Sequence, residues 1–325
     1  MPRPKTRVLK SEMVERSLVY VLDPIAPSAV ATLRQSCDVV DHDDKRKGRW
    51  LEDADGVIVR TSKIPRDMIA AAQRLKVIGK HGVGVDNIDL DAARDRGVAV
   101  INTPGANSNA VAELAVGLAL AVARRIALLD RMLRDGAVTS PPPQGIELTG
   151  RTVGVVGMGG VGRRTAALFK AAFGSTILAY DPFAPPEAFA AADAERCASL
   201  DELLPRVDVL TLHIPLNRDT EKLIDARRLA LMKRDAMVLN LSRGGVVDET
   251  ALHDALTNGT IAGAATDVFV QEPPPAGHPL LRLPGFVATP HIGAATAESM
   301  ERMGMGVVGG VVTLLGGGTP DHRVV

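Results

Sequence analysis

The sequence predicts an α/β protein of two parallel-sheet domains, one Rossmann-like and one flavodoxin-like, with one inserted in the other. Three observations lead there. Short β-branched runs alternate with amphipathic stretches in two successive blocks, residues 17–101 and 152–294. A glycine-rich turn, Gly157-Met158-Gly159-Gly160-Val161-Gly162, follows the first strand-like run of the second block. After the last strand-like run comes a helix-like segment expected to return and pack on the first block.

In chain order, SLVYVL, CDVV, GVIVR, LKVIGK and VAVI read as strands, separated by the helical stretches PSAVATLRQS, PRDMIAAAQR and LDAARDRG. Strands joined through helices imply crossover connections and so a parallel sheet. Residues 109–134, rich in Ala and Leu and ended by Asp135-Gly136, read as one long helix. Its apolar breadth points to burial between two domains or subunits. Beyond the proline-rich loop TSPPPQG, six strand candidates (TVGVVGMG, TILAYDP, DVLTLHIPL, AMVLNLSRGG, IAGAATDVF and FVATPHIGA) alternate with helices, as a dinucleotide-binding domain requires. The closing stretch ATAESMERMGMGVVGGVVTLLGG reads as a helix despite its glycines. The expected division is residues 1–106 with 295–325 in one domain and residues 107–294 in the other.

A chain of 325 residues, 46% hydrophobic, can bury two substantial cores. Lys plus Arg and Asp plus Glu both number 38, so no field of one sign points to nucleic acid or an anionic membrane, and a small molecule is the expected partner. Cys37 and Cys197 lie far apart without metal-ligand spacing, which predicts buried thiols in a reducing compartment and no metal site. The first sixteen residues are polar and basic, but the apolar run after them is short and meets Asp23-Pro24, unlike a signal peptide, while Glu12 and Glu15 argue against a transit peptide. No apolar run approaches the ~20 residues of a spanning helix. A cytoplasmic location is expected.

The glycine turn lies between the strand-like TVGVV and the helix-like RRTAALFKAAF. Gly157 and Gly159 permit a tight turn and close approach of backbone to a pyrophosphate, and Gly162 lets helix and strand pack closely. Asp181 ends the next strand, where a carboxylate accepts hydrogen bonds from both ribose hydroxyls and repels a ribose phosphate. Pro182 and Phe183 after it supply no cation, so NAD is favoured over NADP. At the carboxyl ends of later strands stand Arg243, Glu272 and His291. Arg suits a substrate carboxylate through its planar fork, and a His beside a carboxylate is held in one tautomer, suited to proton exchange near neutral pH. Reduction of a keto acid needs such a cation, a polarised keto oxygen and a proton donor.

The phrases GMGGVG, YDP, HIPL, NLSRGGVVDE, ATDVFVQEP and PHIGAAT, in this order, together with KHGVGVDNIDLDAA and NTPGANSNAVAE, resemble the D-isomer-specific 2-hydroxyacid dehydrogenase family. The resemblance runs from about Gly56 to Ala297. It implies an NAD-binding domain inserted in a substrate domain, and a catalytic Arg243, Glu272 and His291: His291 as proton donor and acceptor, Glu272 supporting it, Arg243 holding the carboxylate. It further implies cofactor contacts at Gly160 and Val161, at Asp181, at Ile214 and Thr220 on the adenine side with His213 bordering them, and at Leu241, Ser242 and Asp267 near the nicotinamide, closed by the stretch from His291 through Gly293 to Ala294. In the first domain, the loop His81-Gly82-Val83-Gly84 would offer N–H groups to the substrate carboxylate. Val83 stands where several relatives carry a hydroxyl, so no side-chain bond to cofactor is expected there.

The loop phrases look most like phosphoglycerate dehydrogenases, in which cations at the positions of Arg60 and Lys80 approach a phosphate. This implies a substrate with a second anionic group, such as 3-phosphoglycerate; glyoxylate or hydroxypyruvate reduction and sulfolactate oxidation are the alternatives. The sequence ends soon after the return helix, which predicts no appended regulatory domains. Two other function classes fit the sequence less well. An NAD-responsive interaction protein, like the family's corepressors, would keep the triad too but finds no support in the balanced charge. A formate dehydrogenase would carry Gln in place of Glu272. A homodimer is expected from the apolar breadth of the long helix.

Overall fold

The computed structural model describes residues 16–325. The basic N-terminal stretch lies outside them, except for Arg16. The chain forms two compact units, one reaching to Thr103 and resuming at Met303, the other spanning Pro104–Arg302.

The first unit holds β1 (Leu18–Val21), β2 (Asp38–Val40), β3 (Gly56–Val59), β4 (Val77–Lys80) and β5 (Ala99–Ile101), all parallel in the order β2-β1-β3-β4-β5. That is the flavodoxin-like order, with its switch point between β1 and β3. Helices α1 (Pro27–Ser36), α2 (Trp50–Asp53), α3 (Arg66–Ala71) and α4 (Leu90–Asp95) connect the strands. Successive strand residues point to opposite faces. Tyr20, Val57 and Ile78 accordingly join one core with Trp50 and Ile69, while Val19, Ile58 and Val77 join another with Val307, Val308 and Val311. Those three valines belong to the closing helix, which therefore packs on this sheet as its sequence predicts. Strands covered on both faces explain why β3 and β4 are apolar throughout until Lys80.

The second unit holds β6 (Thr152–Val156), β7 (Thr176–Tyr180), β8 (Glu195–Arg196), β9 (Val209–Leu212), β10 (Met237–Asn240), β11 (Gly263–Thr266) and β12 (Phe286–Ala288), parallel in the order β12-β11-β10-β9-β6-β7-β8. This is the doubly wound Rossmann order, its switch point between β6 and β9. Its helices are α5 (Ser108–Ala123), α6 (Ile126–Arg134), α7 (Gly160–Phe173), α8 (Pro186–Ala190), α9 (Leu200–Leu203), α10 (Ala226–Leu231) and α11 (Glu249–Thr257), and α12 (Ala297–Leu315) leads out of it. Two details differ from the sequence reading. The long helix is two helices, because Arg125 adopts φ 55° and the Ala123 carbonyl accepts from Ile146 N–H in place of a continuing turn. The sheet has a seventh strand, β8, whose two exposed polar residues carry no periodic signal.

Both cysteines are buried free thiols, and Trp50 is buried in packing. Among the described residues no helix is long and apolar enough to cross a membrane.

Candidate active site

The glycine turn links β6 to α7 at the switch point of the larger sheet, where helix N–H groups point at a ligand. Gly157 has φ 95°, and a Cβ on it would lie 2.5 Å from the His213 carbonyl oxygen and 2.8 Å from Ile214 Cγ2. A Cβ on Gly162 would lie 1.9 Å from the Gly157 oxygen, so only glycine lets α7 approach the strand end. By contrast, nothing lies within 4 Å of a Cβ on Gly159. Beside the turn, a Cβ on Gly160 would meet Ser108 Oγ at 2.7 Å, and that buried hydroxyl has no hydrogen-bond partner among the described residues. An open N-terminus lined by an orphaned hydroxyl and half-buried Val161 fits a dinucleotide pyrophosphate.

Asp181 follows β7. Its Oδ2 accepts from Met158 N–H at 2.8 Å, and its Oδ1 accepts from Phe183 N–H at 2.9 Å and Ala184 N–H at 3.1 Å. The carboxylate is thus fixed against the glycine turn, with lone pairs left for a ribose. Ile214 packs beside Gly157. His213 Nε2 lies 3.0 Å from Thr211 Oγ1, and burial pushes its pKa down to about 3, so its ring is neutral. Thr220 donates to the Pro215 carbonyl at 2.7 Å and accepts from Asn217 N–H at 2.8 Å, closing the loop after β9.

The triad sits beyond the carboxyl ends of β10, β11 and β12. His291 Nδ1 is 2.7 Å from Glu272 Oε2, and Glu272 Oε1 accepts from Phe269 N–H at 3.1 Å. Burial of Glu272 opposes ionisation, yet the His291 bond and charge, the Phe269 N–H and Arg243 together hold its carboxyl below the usual range. An ionised Glu272 keeps the proton on Nδ1 and aims Nε2 outward. Among the described residues no protein group engages Nε2. Arg243 Nη1 donates to the Ser242 carbonyl at 2.7 Å.

His291 has φ 54°, a left-handed conformation that costs a residue with a Cβ about 1–2 kcal/mol. Asp267 holds it there. The Asp267 carbonyl accepts from His291 N–H at 2.7 Å, its Oδ1 from Ile292 N–H at 2.8 Å and Thr289 Oγ1 at 2.6 Å, and its Oδ2 from Gly293 N–H at 2.7 Å. Ala294 continues this clamped turn, half-buried. Sequence reasoning did not single out Asn240, the last residue of β10. It is buried, accepts from Ser242 N–H at 3.1 Å and Ser242 Oγ at 2.7 Å, and donates to the Arg243 carbonyl at 2.9 Å, shaping the turn of Leu241, Ser242 and Arg243. A polar residue ending an apolar strand was the available signal.

In the first unit, the ends of neighbouring strands β3 and β4 carry Arg60 and Lys80. They differ. Lys80 is buried, and its Nζ donates to the Arg60 carbonyl at 2.5 Å and Asn87 Oδ1 at 2.6 Å, so it braces the loop in place of the open cation expected. No internal hydrogen bond or ion pair engages the Arg60 guanidinium among the described residues. Asp23, also not singled out, accepts from the N–H groups of Arg60, Thr61 and Ser62 at 2.7, 3.0 and 2.9 Å; burial opposes its ionisation, but these bonds hold its carboxyl below the usual range. Two N–H groups of the expected anion loop are already engaged: His81 donates to the Val59 carbonyl at 2.8 Å and Gly82 to Thr103 Oγ1 at 3.1 Å. Those of Val83 and Gly84 have no internal acceptor among the described residues.

Residues 116–293 match the model of the D-isomer specific 2-hydroxyacid dehydrogenase NAD binding domain. The chain is 42% identical over 310 residues to a D-3-phosphoglycerate dehydrogenase of Methanocaldococcus jannaschii, covering 94% of this chain and 59% of that one. It thus spans about three-fifths of the length of that relative. A glyoxylate reductase of Thermofilum pendens is 39% identical over 321 residues, 95% of this chain and 94% of that one. Among solved structures, NAD+-bound 3-phosphoglycerate dehydrogenase of Entamoeba histolytica superposes with a TM-score of 0.79 at 29% identity, covering 95% and 99% of the two chains. The chain belongs to the D-isomer specific 2-hydroxyacid dehydrogenase family.

Proposed function

We propose that this protein is an NAD-dependent dehydrogenase interconverting a small 2-hydroxy acid and its 2-keto acid. The observation that carries the reading is the 2.7 Å contact of His291 Nδ1 with an ionised Glu272, in a turn clamped by Asp267. NAD, when bound, supplies or takes up the hydride at carbon 2. The glycine turn and Asp181 hold it, and Asp267, Gly293 and Ala294 line the end where Leu241 and Ser242 turn. His291 Nε2 gives a proton to the keto oxygen in reduction and removes it in oxidation. Arg243 pairs with the carboxylate and polarises the keto group, and Val83 and Gly84 N–H groups assist it. Glu272 stays ionised throughout, orienting His291.

The substrate proposed carries a second anionic group, as 3-phosphoglycerate does, met by Arg60. Glyoxylate, hydroxypyruvate and sulfolactate are the alternatives, and the glyoxylate reductase matched over nearly its whole length favours a neutral-tailed substrate as the second reading. The test is NADH- and NADPH-dependent reduction of phosphohydroxypyruvate, sulfopyruvate, hydroxypyruvate and glyoxylate by wild type and Arg60→Ala. Higher kcat/KM with NADH is expected, with a KM for the dianionic acid raised about tenfold or more in Arg60→Ala, a loss of about 1.4 kcal/mol, and little change for glyoxylate. Equal losses on both would remove the dianionic reading, and a preference for NADPH would remove the role given to Asp181.

A homodimer in the cytoplasm completes the proposal. α6 has no buried residue, and it leaves Ile126 53% and Leu133 71% exposed, apolar surface that a second copy would cover. A single-chain mass by light scattering would overturn it.

A further inference from the structure

A second carboxylate and a second imidazole lie behind the catalytic pair. Phe269 and Val270 are consecutive residues after β11, and their two N–H groups are taken by two different glutamates. Phe269 N–H donates to Glu272 Oε1, while Val270 N–H donates to Glu249 Oε1 at 2.8 Å. The other Glu249 oxygen, Oε2, is 3.3 Å from His278 Nε2, and the His278 ring meets Phe269 edge-on at 5.3 Å. The opposite side of this peptide is closed by Gly244, where a Cβ would lie 2.0 Å from the Phe269 carbonyl carbon and 2.3 Å from Val270 N. Gly244 directly follows Arg243, and Glu249 opens α11, just after the N-cap Asp248. One short segment of chain therefore grips the 269–270 peptide from both sides.

We propose that Glu249, held by His278, is a positioning residue that fixes the 269–270 peptide and, through the shared Cα of Phe269, the adjoining N–H that Phe269 presents to Glu272, and thereby registers Glu272 against Arg243. Val270 is exposed, so once Glu249 is removed its N–H turns to solvent and the 269–270 peptide loses the side-chain anchor that fixes its orientation. The adjoining peptide, which carries Phe269 N–H and shares the Phe269 Cα, would shift in turn, and Glu272 would lose one of the bonds that keep it ionised and aimed at His291. This inference rests on the reading of Glu272 and His291 given above.

The test is a double-mutant cycle on keto-acid reduction, with NADH affinity measured separately by fluorescence. Glu249→Ala is expected to lower kcat about tenfold with NADH affinity unchanged, whereas Glu249→Gln, whose amide oxygen still accepts from Val270 N–H, stays within about twofold of wild type. In a Glu272→Gln background, itself slower by about tenfold or more, Glu249→Ala should cost less than about twofold, because its route of action is already gone. Should Glu249→Ala not fold, Glu249→Asp, too short to reach Val270, enters the same cycle. Additive losses, or no rescue by Gln, would overturn the positioning role while leaving the triad intact. A Glu272→Gln enzyme at full speed would overturn the triad reading and this inference with it.

Discussion

Two of the imidazole–carboxylate pairs in the Rossmann unit join a His to a Glu, and their chemistry on paper is the same. In His291–Glu272 the atoms are 2.7 Å apart and the side chains 48% and 36% exposed; in His278–Glu249 they are 3.3 Å apart and 13% and 23% exposed. The ring of His278 is wedged against Phe269, its buried Nδ1 has no partner among the described residues, and Glu249 is occupied by a peptide N–H. His291 leaves one nitrogen outward. Proton exchange needs an atom that can reach substrate, so openness supports the proposed chemistry at one pair and a scaffolding role at the other. The smaller unit repeats the contrast with cations. Lys80 is filled by a carbonyl and an amide, while among the described residues no protein group engages the Arg60 guanidinium.

The largest expected effect breaks the comparison most directly. His291→Ala should lose ~100-fold or more in kcat, the scale of general acid–base catalysis, with NADH affinity little changed. His278→Ala removes an equivalent imidazole from the scaffold and should instead lower kcat by less than about tenfold while lowering Tm by about 2–4 °C. Stopped-flow reduction and calorimetry on both variants decide it. Similar kcat losses from the two would mean that openness does not separate the roles.

Much of this contrast could not be read from sequence. The strands were legible because β-branched runs sit between helical stretches, and so were the places of Arg243, Glu272 and His291, each after such a run, while the roles expected of them came from the family resemblance. The glycine turn was legible from its spacing together with the strand-like run before it, the helix-like run after it and Asp181 beyond. The break at Arg125 was not, since Arg124-Arg125 continues a helix-compatible run and only the left-handed φ and the Ile146 donor reveal the stop. Neither were the roles of Asp23, Asn240 and Glu249, because each is set by which N–H its carboxylate or amide meets. Asp23 lies 37 residues from Arg60 and Glu249 21 residues from Val270, distances at which local pattern carries nothing. Lys80 shows the converse: its place at a strand end suggested an open cation, and burial made it a brace.

The smallest effect is the pH dependence of the exposed pair's contribution to stability. Glu272 has a folded-state pKa below its ordinary value of 4.5, despite burial, because of His291, the Phe269 N–H and Arg243. A depressed carboxylate contributes stability that is fully present above its unfolded pKa and is lost as pH falls through the lower folded value. Glu272→Gln keeps the shape but not the charge, so the wild type should melt higher than the variant between pH 5 and 7, and the gap should close as the pH drops below about 4. The pair is more than a third exposed, and solvent screening limits such pairs to about 0–1 kcal/mol, so the gap at neutral pH should be only about 1–2 °C. Parallel melts of both proteins from pH 7 to 3 measure it. A gap that stays constant through pH 4 would mean that Glu272 is not held ionised by its neighbours, and the distinction between an open, charged pair and a closed, scaffolding one would rest on exposure alone.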